Sequence, residues 1–134
     1  MAGKSDVLEN KILDAVLGGV TYSSPATVWV ALYTAAPTDA GGGTECSGGS
    51  YARVSKTNNA TNWPNASGGA KANGTAITFP APTGNWGTVL AFAIHDHATA
   101  DQILYWGLVT PNKTVNASDP APEFAIGDLD VTED

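Results

Sequence analysis

From about Val28 to Asp96 the chain is a series of short β-rich runs broken by Gly, Asn, Ser and Thr. Turns that frequent leave no room for helical crossovers, so the fold must be antiparallel and turn-rich. The clearest runs are Thr27 to Thr34 (TVWVALYT), Thr88 to Asp96 (TVLAFAIHD) and Gln102 to Thr110 (QILYWGLVT). In the first, Val28, Val30 and Leu32 alternate with Trp29, Ala31 and Tyr33, which makes both faces apolar and predicts a central strand. Tyr51 to Lys56 and Ala76 to Phe79 add further strands, the second stopped by Pro80 and Pro82. The tail from Glu123 to Val131 alternates Phe124, Ile126, Leu129 and Val131, with a slip at Gly127 that predicts a bulge.

One helix precedes the strands. Asp6 and Glu9 form a capping-box-like start, Val7, Leu8, Ile12, Leu13, Val16 and Leu17 recur at helical spacing, and Gly18 with Gly19 ends it. Its apolar stripe must cover either the β core or a neighbouring subunit, and Val7, Leu8, Ile12 and Val16 are the candidate contacts. The expected fold is mainly β: an antiparallel β-sandwich with Greek-key or jelly-roll-like connections and one N-terminal helix over about residues 6–17. All 134 residues are expected to form a single domain. Two stretches are expected to be loops. Ala36 to Ser50 is glycine-rich, mobile and exposed by this reading, and Asn58 to Ala76 is polar.

Charge and composition exclude several functions. Thirteen acidic against six basic side chains give a net charge of -7, with no Lys/Arg cluster, so nucleic acid is not an expected partner. No apolar run approaches the ~20 residues needed to span a bilayer, and the N-terminus lacks a signal-peptide pattern, so no membrane role is expected. Cys46 is the one cysteine, which rules out an intramolecular disulfide and a cysteine-based zinc site. Its setting in the Gly-rich stretch predicts an exposed thiol. Asn-x-Ser/Thr triplets begin at Asn59, Asn65, Asn73, Asn112 and Asn116 and are read as by-products of Asn- and Thr-rich loops.

No set of residues builds a convincing catalytic site. His95 and His97 would share one face of a strand, at a spacing some metal sites use, with Asp101 or Asp128 needed as further ligands. They also sit where a strand ends and polar residues are expected, so neither a metal nor any other cofactor is expected. Gly41 to Gly43 lacks the Lys-Ser/Thr pair and following helix of a phosphate loop. Asp128 and Asp130, followed by Glu133 and Asp134, read as a solvated charge row protecting an edge. Trp29 and Trp106, inside apolar strands, are expected in the core. Trp63 and Trp86, in Asn/Gly turns, are expected nearer the surface, as caps, subunit contacts or sugar-stacking platforms.

Several stretches taken together resemble a known family. They are Leu32 to Glu45, Gly48 to Val54, Thr61 to Pro64, Ile77 to Pro80, Gly87 to Val89, Phe92 to Asp96, Leu104 to Gly107 and Lys113 to Asn116. In this order they are similar to small structural proteins of tailed bacteriophages, commonly labelled tail-fibre-like. The resemblance implies a virion component, made in the host bacterial cytoplasm and used on the particle surface. The chain shows no internal repeat or coiled-coil heptad of the kind a long shaft needs. Combined with that, the resemblance favours a capsid decoration or cement protein, a homo-oligomer that clamps phage coat or other virion proteins. The alternative is a short tail, collar or fibre appendage that binds host glycan through Trp63 and Trp86. A third class, a small metal enzyme built on His95 and His97, is the least supported by the residues.

Overall fold

A computed structural model describes residues 2–100 and 102–133. In chain order the elements are β1 (Ala2–Lys4), α1 (Asp6–Gly18), β2 (Thr27–Ala35), β3 (Thr44–Glu45), β4 (Val54–Thr57) and β5 (Ala70–Ala72). They continue with β6 (Ile77–Thr78), β7 (Gly87–His95), β8 (Ile103–Val115), β9 (Glu123–Phe124) and β10 (Asp130–Thr132). The fold is mainly β, antiparallel and sandwich-like, with one helix near the N-terminus.

The main sheet has the order β1-β8-β7-β2-β3, with β4 also paired to β2. Strand β2 is central, as its two apolar faces require. It pairs with β7 on one side, while β4 (Val30 opposite Val54) and β3 (Tyr33 opposite Glu45) share the other. Side-chain alternation sorts the sheet into two surfaces. On one, Val30, Ile94 and Tyr105 lie in a row across β2, β7 and β8, beside Leu32 and Phe92. On the other, Ala31, Ala93 and Trp106 form the matching row, flanked by Tyr33 with Ala91 and by Trp29 with His95.

The first surface carries the main core. Its second layer consists of two short ladders, β5 with β10 and β6 with β9, each joining residues 70–78 to the C-terminal segment. Ile77, Phe79, Leu129 and Val131 descend from that layer onto Val30, Leu32, Phe92 and Ile94. Two-stranded ladders of this length are marginal by themselves. Asn73, fully buried between β5 and β6, fastens them. Its Nδ2 donates to Thr75 O and Ala125 O, both at 2.9 Å, and its Oδ1 accepts from Leu129 N at 2.9 Å. Its backbone carbonyl also accepts from Gly127 N. The second surface has small residues, Ala31, Ala91 and Ala93, which let Ala36 and Trp106 pack close. Trp106 Nε1 donates to Asp39 Oδ1 at 3.0 Å and so ties β8 to the loop after β2.

The structure departs from the sequence expectations in several places. Residues 36–50 are fastened rather than mobile: Pro37 and Cys46 are buried, and Thr44 and Glu45 pair as β3. Glycine makes this possible by permitting backbone approaches that a side chain would block. A Cβ on Gly49 would lie 2.1 Å from Gly84 N, and one on Gly74 would lie 2.3 Å from Thr61 O. Residues 58–76, expected to be polar loop throughout, contain β5. The tail is two strands in different ladders instead of one bulged strand, because Gly127 turns the chain at φ 83°. Strand β8 continues past Thr110 to Val115. The helix is capped by Ser5, whose side chain accepts from Leu8 N at 3.2 Å, rather than by Asp6.

Candidate functional surface

Helix α1 is the element whose apolar residues exceed what the fold buries. Leu8 is buried, Ile12 packs partly against the core, and Val7 is at the border of exposure. By contrast Leu13 is 56 % exposed, Val16 72 % and Leu17 82 %, with Val20 just beyond the helix also open. Helical geometry explains the division. At about 100° per residue, Ile12 lies about 40° from Leu8, while Val16, Leu13 and Leu17 lie at about 80°, 140° and 180°. The stripe is too wide for one contact, so its outer flank faces away from the core.

Beside the inner flank lies an apolar groove of about 400 Å³. Leu8 and Ile12 form one wall; Trp63, Lys71 and Val131 belong to the wall opposite, and Val28, Ile94 and Leu104 of the main sheet also line it. The groove is the gap where the second layer fails to close against α1. At its rim Glu133 joins three segments, accepting from Lys4 Nζ and from Tyr105 Oη at 2.8 Å, while its backbone N–H bonds Gly69 O. Burial raises the Glu133 pKa, but the hydrogen bonds from Lys4 and Tyr105 and the Lys4 charge outweigh it, leaving the carboxyl below its ordinary value. Lys71 Nζ donates to Trp63 O at 3.1 Å and, among the described residues, has no carboxylate partner.

The tryptophans change roles. Trp63 and Trp86, expected nearer the surface as caps, subunit contacts or sugar platforms, are buried at 7 % and 4 % exposure. Trp86 donates from Nε1 to Gly49 O at 2.8 Å and meets Tyr51 edge-on at 5.2 Å, so it cements the two glycine loops. Trp63 lines the groove, and its Nε1 has no hydrogen-bond partner among the described residues. Trp29 and Trp106, expected in the core, are half-buried on the alanine-rich face.

The histidines separate. His95 is fully buried on β7, with Nε2 2.9 Å from Tyr33 Oη. His97 lies beyond the strand end, where its Nδ1 accepts from Thr99 N and Ala100 N and its ring packs on Trp29. The expected same-face pair is therefore not formed. Among the described residues no three His, Cys, Asp or Glu side chains come together, and Asp101 lies outside them. Asp128 and Asp130 are exposed, Glu133 is ion-paired, and Asp134 lies outside the described residues. Cys46 is buried, contrary to the exposed thiol expected, and burial, helped by the Glu45 charge, pushes its thiol pKa up to about 11.

One polar cluster had no sequence signal beyond its residue types. Arg53 makes a bidentate pair with Glu45 (Nε to Oε2 2.9 Å, Nη2 to Oε1 2.8 Å). Its Nη1 holds the carbonyls of His97 and Ala100, so it anchors the β7–β8 loop. Tyr51 Oη donates to Glu45 Oε2 at 2.8 Å and accepts from Leu32 N at 3.0 Å. Burial raises the Glu45 pKa, and the hydrogen bonds from Arg53 and Tyr51 overcome that to leave it lowered. The bonding is fully paired and serves the fold.

No described helix is long and apolar enough to cross a membrane. No curated protein matches the chain. A family-level comparison matches residues 3–132, which takes in every strand and the helix almost entirely. That match agrees with the tail-fibre-like resemblance of the sequence and makes the protein a structural component of a phage virion. The chain belongs to the family described as podophage GP4 fibre I protein gp80.

Proposed function

We propose that this protein is a non-catalytic building block of the podophage fibre, joined to its neighbours in the virion through the outer flank of α1. The observation that carries the proposal is the family match across nearly the whole chain, residues 3–132. The exposed Leu13, Val16 and Leu17 supply the attachment surface such a part needs, since a solitary soluble domain rarely leaves so many aliphatic residues together in water. Trp86 is locked between the glycine loops and Trp63 shows little surface at the groove, which supports attachment over receptor reading. Head decoration, favoured above from the repeat-free sequence, is the competing placement.

Immunogold labelling of intact virions with an antibody against this chain separates the two. Gold on the fibres supports the proposal. Gold spread over the head at many copies would overturn it in favour of decoration.

A further inference from the structure

We infer that the groove between α1 and the β5–β10 ladder is filled by the outer α1 flank of a second copy of this chain. The inference deepens the fibre reading by naming the partner, and rests on that reading for the setting in which many copies meet. Ridge and groove lie on the same helix. Leu8 and Ile12 wall the groove, while Val16, Leu13 and Leu17, followed by Val20, form the ridge on the adjacent flank. Two copies related by a two-fold axis can therefore insert each ridge into the other's groove at once.

Area decides between one such contact and two. The four ridge residues together expose about as much as three fully solvated aliphatic residues, on the order of 400 Å². The concave groove wall exposes less than half of that, so a single head-to-tail contact buries roughly 550 Å² in all, the size of an incidental crystal contact. The reciprocal pair buries about twice that, roughly 1,100 Å², which clears the ~1,000 Å² a specific contact needs and suits a reversible dimer. Charge agrees with this arrangement. Glu9 lies at about 100° on the helix, between Val16 and Leu13, and so travels with the ridge. The groove offers Lys71, which has no carboxylate partner among the described residues of its own chain.

The test uses the full chain. Analytical ultracentrifugation across a concentration series should show a monomer–dimer equilibrium, and Leu17→Lys should raise its dissociation constant at least about tenfold with an unchanged circular dichroism spectrum. Leu17 is so exposed that this variant should fold normally. Leu17→Cys chains mixed with Ala66→Cys chains, Ala66 being an exposed groove residue, should form a mixed disulfide dimer on mild oxidation. A chain that stays monomeric at every concentration leaves the groove to another virion protein and overturns the inference. So does a dimer in which these two positions do not cross-link. Sedimentation reads this contact wherever the protein sits on the particle, so its failure and a failure of the fibre placement are separate results.

Discussion

The segment from Ala36 to Ser50 and helix α1 invert what their sequences advertise. The glycine-rich segment has the composition of a loose loop, yet Pro37 and Cys46 are buried within it and Gly49 is wedged against Gly84. The helix is the most regular element of the chain, yet its last two turns hold Leu13, Val16 and Leu17 in solvent. Regularity and burial are separate properties. Close backbone crossings secure the irregular part of this fold, and its most regular part carries the apolar surface the fold leaves uncovered.

The contrast is sharpest at Gly49. A methyl group there would enter the backbone of Gly84 and Thr83, which neither loop can relieve without moving Trp86. Gly49→Ala should therefore cost about 4 kcal/mol or abolish folding, as read by urea denaturation. A loss below about 1 kcal/mol would mean the segment is as loose as its composition implies. Asn73→Ala is next, at about 2–4 kcal/mol, because it leaves the buried Leu129 N–H and the part-buried carbonyls of Thr75 and Ala125 without their partner. The same denaturation curves measure it.

Glu45 gives a pH-dependent version of the comparison. Its folded pKa is lowered, so its contribution to stability is present above the unfolded value of about 4.3 and is lost as pH falls through the folded value. Glu45→Gln should cost about 1–2 kcal/mol at pH 7 and flatten the acid limb of the stability curve. An acid limb unchanged in the variant would assign that dependence to other carboxylates, such as Glu133. At the other extreme, Leu17→Lys should shift stability by no more than about 0.5 kcal/mol, since the side chain has nothing beneath it to lose. A loss above 1 kcal/mol would place Leu17 in the fold after all.

Much of this fold was legible in the sequence, and the misreadings share a physical cause. Strands β2 and β7 were visible because a central strand must be apolar on both faces, and α1 because its stripe recurs at helical spacing. β5 was not, because three residues, Ala70 to Ala72, are too few to establish a strand period and they pair with β10 through long-range contacts. Trp63 and Trp86 were misplaced for a related reason: polar neighbours in sequence do not reveal whether a loop folds back onto the core. Asn73 read as one Asn among many, since its buried bonds run to residues about fifty positions away. For α1 the spacing pointed to Val7, Leu8, Ile12 and Val16 as the covered residues and left open what covers them, so the exposure of Leu13 and Leu17 was not read from it. Leu13 and Leu17 are angularly remote from Leu8, and a stripe that wide needs a second contact.

The most direct test of the attachment surface is the copy number of this protein in purified virions of phage encoding Leu13→Lys with Leu17→Lys, counted by quantitative mass spectrometry against the wild type. If the outer flank of α1 joins the protein to the particle, the variant should be made and folded normally in the host but fall at least about tenfold in the virion. Incorporation at the wild-type copy number would contradict that role and direct attention to the alanine-rich face around Trp29 and Trp106.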